Sequence, residues 1–227
     1  MYSSIGHGGA SGYLALMALY NFEPEIMKSS ALILNILVAG ISFYFYLKNK
    51  HFEWKMFWPF AITSVPFAFL GGLVIADPVV YKRILGIFLI FAILRILWIN
   101  EKTNNNFKEV KLIWPLLIGC IIGFFSGLIG IGGGIILSPL ILLLYNSNIK
   151  QTAAVSALFI LVNSLSGFAG MAYNGIEIYP KIYFFIAAAI TGGILGAYFG
   201  AKKFESKLLK YILSGVLCMA SIKLFLL

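Results

Sequence analysis

The sequence predicts an all-helical, polytopic membrane protein, and three observations carry this prediction. Hydrophobic residues make up 61% of the chain and charged residues only 11%. The mean hydropathy is +0.95. Long uncharged stretches recur, and most of them reach the roughly 20 helical residues that are needed to cross a hydrocarbon core of about 30 Å. Such a composition excludes an ordinary soluble domain.

Seven apolar stretches are the candidate membrane segments. Five carry no charged side chain, namely 29–47, 56–76, 112–149, 151–176 and 182–201. Two more hold lysine or arginine near one end, where a long basic side chain can reach the membrane interface: 79–99 and 206–227. The net charge of +9 is spread over short loops, which indicates membrane topology and not a nucleic-acid surface.

The chain contains two copies of one pattern. Short matches recur in the same order at offsets between 124 and 128 residues, pairing 5–9 with 129–133, 19–21 with 144–146, 30–32 with 156–158, 70–71 with 195–196, and 82–95 with 210–223. Internal repeats of this kind are a recurring architecture of secondary transporters. We therefore divide the chain into a first repeat, 1–100, a polar cytoplasmic linker, 101–111, and a second repeat, 112–227.

The second repeat begins with a feature that the first does not show. Its uncharged stretch 112–149 has 38 residues, about 57 Å as one helix, nearly twice the thickness of the hydrocarbon core. If this stretch turns back as a hairpin, the two sides of the membrane carry eleven and five lysines and arginines, whereas a single crossing gives eight and eight. The positive-inside rule therefore favours the hairpin. The first repeat has no counterpart of the leading arm 112–126. We interpret this difference as a truncated or misassigned start.

A hairpin followed by three crossings inverts one repeat relative to the other, because the hairpin returns to its own side and three is an odd number. The predicted fold is thus two inverted repeats, each with a glycine-bent helical hairpin and three transmembrane helices, the first arm of the first hairpin being absent. The same count puts the C-terminus outside the cytoplasm.

Dense glycine clusters mark the bends of both hairpins. Gly132, Gly133 and Gly134 interrupt the second hairpin, and Gly8 and Gly9 occupy the matching place in the first repeat. Irregular backbone at membrane depth survives only where protein or a water-filled cavity satisfies it. A helix that starts after such a bend points free N–H groups and its positive dipole end inward, which predicts an anion site at the two bends.

Close packing is the alternative role for glycine in a membrane helix. We assign it to the glycines that recur every four residues in 119–127 and 192–200. The clusters at the two bends are too dense for one helix face, and there we favour the binding site.

Neutral polar side chains near the bends complete the predicted site. Asn35 and Asn163 occupy similar places in the second helix of each repeat, and Ser11 and Ser156 are short-range donors. Each could equally make an interhelical hydrogen bond. His7 lies beside the first bend and titrates near neutral pH, so it is the candidate for proton coupling, although the second repeat has no histidine there.

The eight acidic residues all fall in or beside predicted loops. A carboxylate in the membrane core is usual for cation transport and proton relays, so this distribution favours an anion. The sequence shows no catalytic triad, no metal-ligating cluster and no phosphate-binding loop, and we expect neither an enzyme nor a cofactor.

Two stretches resemble a known family. GFFSGLIGIGGGIILSPLIL (123–142) and QTAAVSALFILVNSLSG (151–167) are similar to the second-half signature of the sulfite exporter TauE/SafE family, and GHGGASG (6–12) is similar to its other repeat. The resemblance implies a cytoplasmic-membrane transporter of sulfite, sulfonates or other sulfur-containing or organic anions, possible proton coupling included. Its partners would be a small anion and the lipid bilayer. An anion channel of the same fold, or a membrane assembly subunit without cargo, remains an alternative.

Overall fold

The computed structural model describes residues 9–98, 110–145, 147–175, 178–200 and 207–226. Within these ranges the chain is helical and has no strand, so that the prediction of an all-helical protein is confirmed. The helices in chain order are α1 Ala10–Leu19, α2 Pro24–Lys48, α3 Trp54–Leu73, α4 Pro78–Trp98, α5 Ile113–Ile129, α6 Gly134–Tyr145, α7 Ile149–Tyr173, α8 Ile182–Gly200 and α9 Lys207–Leu226.

Three of the described helices, α2, α3 and α7, are long and apolar enough to cross a membrane. The ends of two of them differ from the predicted stretches. Helix α2 begins at Pro24 and not near residue 29, because proline suits the first helical turn and because Lys28 is accommodated inside the protein. Helix α3 ends at Leu73, where Val74 turns to an extended conformation ahead of Pro78.

The second glycine cluster separates two helices and reverses the chain. Helix α5 ends at Ile129, and Gly130, Gly132 and Gly133 all have left-handed backbone with φ between 74° and 84°. A Cβ placed on Gly133 would lie 2.6 Å from Cγ2 of Ile122, a residue that is two turns back along α5. The chain therefore doubles back along α5 before α6 begins.

The far ends of the two helices support the same reversal. The Tyr145 ring at the end of α6 lies 6.2 Å from the ring of Phe60, near the start of α3. Helix α5 runs alongside α3 in the same direction, since Gly119 meets the Phe60 backbone and Gly127 meets the backbone of Ala68.

The glycines at every fourth position of α5 have the packing role that the sequence predicted. A Cβ on Gly119, Gly123 or Gly127 would collide with backbone atoms of α3, so only glycine permits this helix approach. At Gly192 in α8 no described atom lies within 4 Å of the Cβ position, and the packing of Gly196 and Gly200 lies outside what the structure describes.

Apolar clusters hold the reversal on two sides. Ile129 and Ile131 pack with residues of α1, α4 and α9, including Leu14 and Leu85. Leu137 and other residues of α6 pack with α3, α5 and α7. The loop 130–133 thus lies between two apolar clusters that pack against its flanking residues.

Candidate functional site

The loop Gly130–Gly133 is buried, as are the first two residues of α6. Left-handed backbone costs an L-residue roughly 1–2 kcal/mol, which explains glycine at Gly130, Gly132 and Gly133. The N–H groups of Ile136 and Leu137 both donate to the Gly133 oxygen, at 3.2 and 3.1 Å. The N–H groups before them, at the very start of α6, have no acceptor within the helix, so that this end of α6 carries the partial positive charge of the helix dipole.

The carbonyl oxygens at the end of α5 are satisfied by two distant side chains. The Tyr81 hydroxyl donates to the Ile129 oxygen at 2.8 Å, and the Asn35 Nδ2 donates to the Gly130 oxygen at 3.1 Å. Both bonds are buried. Because these acceptors are occupied, the loop offers a ligand its N–H groups more than its oxygens.

Four buried polar side-chain atoms around the loop have no hydrogen-bond partner in the structure: Asn35 Oδ1, Ser126 Oγ, Asn163 Oδ1 and Ser164 Oγ. They come from α2, α5 and α7, and each of the four residues is fully buried. A buried polar atom without a partner costs about 1–3 kcal/mol. Unpaired polar atoms on three helices that pack around one loop are typical of a ligand site and not of a packed core.

The contacts of Gly132 place two of these side chains directly at the loop. A Cβ on Gly132 would lie 3.1 Å from the Asn35 Nδ2 and 3.4 Å from the Ser164 Oγ. The Asn163 Nδ2 donates to the Phe159 oxygen at 2.8 Å, and the Phe159 ring would lie 3.0 Å from a Cβ on Gly133. Helix α2 therefore places Asn35 at the loop, and α7 places Ser164 and the Phe159 ring there.

The structure brings together part of the predicted site. Asn35, Gly132, Gly133 and Gly134 meet at the loop, with Ile160 of α7 against Gly132 and Gly134. Asn163 lies one helical turn from Phe159, whose ring contacts Gly133.

Ser156 lies near the start of α6, but its hydroxyl is paired with that of Ser138 at 2.8 Å, and Ser138 also donates to the Gly134 oxygen at 2.8 Å. These two hydrogen bonds stabilise the first turn of α6. Ser156 therefore supports the site but has no free hydroxyl to offer a ligand.

The first bend is only partly described. Gly9 has left-handed backbone, φ 85°, and α1 begins directly after it at Ala10, as α6 begins after Gly133. The atoms nearest to a Gly9 Cβ belong to Tyr13 of the same helix. Ser11 is buried in the first turn of α1. The atoms nearest to Gly132, which include the Asn35 side chain, do not include Gly9 or Ser11. His7 and Gly8 lie outside the described residues.

Two residues of this region were not predicted. Lys28 is 6% exposed, and its Nζ donates to the oxygens of Gly72 at 2.9 Å, Val74 at 3.1 Å and Gly71 at 3.4 Å. These partners are neutral, so the positive charge remains inside the protein near the end of α3. Lys28 is the one charge between Glu25 and Lys48, a signal that the sequence did contain. Tyr81 offered no such signal.

A cleft opens beside the loop, where α2 begins and where α3 and α7 end. Its lining includes Lys28, Tyr81, Leu128 and Asn174. Leu128 directly precedes the end of α5, so the cleft borders the helix that leads into the loop. The acids within the described residues are exposed or half-buried, and those residues contain no cluster that could hold a metal ion.

Comparison with known proteins gives one consistent result. The family described as sulfite exporter TauE/SafE matches residues 1–224. The probable membrane transporter protein y4hK of Sinorhizobium fredii is 34% identical over 98% of this chain and 92% of its own length. The probable membrane transporter protein YjnA of Bacillus subtilis is 23% identical, over 96% of this chain and 92% of its own length. No solved structure matches.

Proposed function

This chain belongs to the sulfite exporter TauE/SafE family of membrane transporters, and on that premise we propose that it carries a small anion across the cell membrane. The proposed cargo is sulfite, a sulfonate or another sulfur-containing or organic anion. The observation that carries the proposal is the buried loop Gly130–Gly133, which leads into α6 with free N–H groups and has unpaired side chains around it.

The charges favour an anion over a cation. Lys28 brings a buried positive charge to the cleft beside the loop, whereas Glu25, which lines the same cleft, is exposed. The described acids are all at least partly exposed, so no carboxylate there is available to hold a cation in the interior. The start of α6 adds the positive end of a helix dipole.

The contacts between helices support the two inverted repeats. Helix α2 packs on α7 and α4 packs on α9, which are equivalent helices of the two repeats. Two further sets of contacts also come in equivalent pairs: α3 with α7 and α8 with α2, and α1 with α9 and α6 with α4. A pseudo-two-fold axis would relate such pairs, and rocking of the repeats about it would expose the site to each side in turn. The charge count still places the C-terminus outside the cytoplasm in this proposal.

The proposal includes coupling of the anion to protons. This coupling depends on the position of His7 next to the first bend in the sequence and on the resemblance to the family.

The test is anion-induced charge movement by the purified protein in liposomes, with sulfite, thiosulfate, sulfoacetate, chloride and a carboxylate at two pH values. We expect a saturable response to one oxyanion. A response that does not saturate would replace the carrier with a channel, and silence across the panel would favour a subunit without cargo.

Gly133→Leu should abolish the response, because its side chain would enter the space of Ile122 and Phe159 at the loop. Gly192→Leu is the matched control, since nothing lies within 4 Å of that position. Gly133→Ala serves if the leucine variant does not fold. An unchanged response in both Gly133 variants would remove the loop from the transport site.

A further inference from the structure

The unpaired atoms around the loop are of two chemical kinds. Asn35 Oδ1 and Asn163 Oδ1 can only accept a hydrogen bond, whereas the hydroxyls of Ser126 and Ser164 can donate or accept. An oxyanion without hydrogen would accept hydrogen bonds from N–H groups and hydroxyls but could not donate one to either amide oxygen.

The orientation of both amides follows from their partners. The Asn35 Nδ2 donates to the oxygen of Gly130 and the Asn163 Nδ2 to the oxygen of Phe159. A carbonyl oxygen cannot donate, so turning either amide around would set two acceptors against each other. The amide oxygens are therefore the atoms that remain available.

We infer that the transported anion carries at least one hydrogen-bond donor of its own, an O–H or N–H group, which the amide oxygens of Asn35 and Asn163 accept together, so that loss of either oxygen weakens the preference for that donor. The inference rests on the proposed function, since it concerns the substrate of the same site. It selects hydrogen sulfite over the sulfite dianion, and a hydroxyalkyl sulfonate over the alkyl sulfonate of equal length.

The two ends of such a substrate fit two parts of the site. The anionic oxygens face the start of α6, where N–H groups and the helix dipole favour negative charge. The donor faces the amide oxygens of α2 and α7. A site built to hydrogen-bond a substrate hydroxyl rejects the analogue without it strongly, because its own polar atoms then stay unpaired.

The test compares the affinity of the purified protein for 2-hydroxyethanesulfonate and ethanesulfonate, which differ by one hydroxyl, and for sulfite on either side of its second pKa. We expect the hydroxylated sulfonate to bind at least about tenfold more tightly, which corresponds to about 1.4 kcal/mol. Sulfite should bind more tightly at the pH where hydrogen sulfite predominates.

Asn163→Leu is the decisive variant. It removes the amide oxygen, while the Phe159 oxygen that it releases still has its place in the α7 hydrogen-bond ladder. The preference for the hydroxylated sulfonate should fall towards one. Ser42→Ala removes another buried, unpaired polar atom of α2 away from the loop contacts, and it should leave the preference unchanged.

If Asn163→Leu does not fold, Asn163→Ala replaces it, since it removes the same amide oxygen without adding a larger side chain. It should at least halve the preference. Equal affinity for the two sulfonates in the unmodified protein, or a preference that both variants retain in full, would overturn the inference while the anion site stands. If none of the three anions binds, the proposed function and this inference fall together.

Discussion

Replacing Gly132 by alanine is the perturbation that most directly probes the loop. Two costs add at this position. The left-handed backbone, φ 74°, costs an alanine roughly 1–2 kcal/mol. The new Cβ would also lie 2.8 Å from the Ile160 Cγ2 and 3.1 Å from the Asn35 Nδ2, both closer than ordinary contact.

The collision cannot be relieved cheaply. Ile160 is β-branched and sits in α7, where one χ1 rotamer is strongly preferred, so its methyl group cannot move aside by itself. The Asn35 amide can shift only by lengthening its bond to the Gly130 oxygen. Overpacking of this kind costs about 1–3 kcal/mol. We therefore expect Gly132→Ala to lower the free energy of unfolding by about 2–5 kcal/mol.

Gly175 provides the matched control. It also has left-handed backbone, φ 91°, but no atom of the residues that the structure describes lies within 4 Å of its Cβ position. Gly175→Ala should therefore cost only the backbone term, roughly 1–2 kcal/mol. Denaturant unfolding in detergent micelles measures both free energies, and sulfite binding is measured on the same samples. Gly132→Ala should weaken binding at least about tenfold, equivalent to 1.4 kcal/mol. Equal destabilisation by the two variants, with unchanged sulfite affinity, would refute the reasoning.

Three further predictions concern neighbouring groups. Tyr81→Phe removes the hydroxyl that donates to the Ile129 oxygen, and the free energy of unfolding should fall by about 1–3 kcal/mol. Lys28→Met leaves its carbonyl partners without a charged donor and should lower the free energy of unfolding by about 1.5–3 kcal/mol, whereas an unchanged value would show that Lys28 is not held as described. Burial, and then the charge of Lys150, lower the pKa of His51 from 6.5, so that the folded protein binds this proton less well than the unfolded chain. The stability that depends on neutral His51 is complete above pH 6.5 and is lost as the pH falls below it. In His51→Gln, the free energy of unfolding should therefore change less with pH below 6.5 than in the unmodified protein.

The sequence predicts the helices and the bend well because both depend on local features. Uncharged length marks the membrane segments, and a dense run of glycine marks a place where an L-residue would be strained. The start of α2 was predicted too late because charge was used as the boundary, while the structure buries Lys28 by giving it carbonyl partners more than forty residues away.

The site itself depends on long-range contacts that no local pattern contains. The bond from Asn35 to Gly130 joins residues 95 positions apart, and that from Tyr81 to Ile129 joins residues 48 apart. A single sequence indicated that Asn35 was polar in an apolar helix, but not what it meets. Ser156 was predicted to contact the ligand, but its hydroxyl is hydrogen-bonded to that of Ser138. The spacing of the two serines in the sequence does not reveal this pairing.

Hydrogen–deuterium exchange of the protein in detergent, with and without saturating sulfite, tests the central claim most directly. Binding is verified on the same sample by its concentration dependence. The account predicts that sulfite slows exchange in the segment that carries the loop and the first turn of α6, Gly130–Leu137, and leaves the exposed end of α7 near Tyr173 unchanged. Binding with protection elsewhere, and none in Gly130–Leu137, would contradict it.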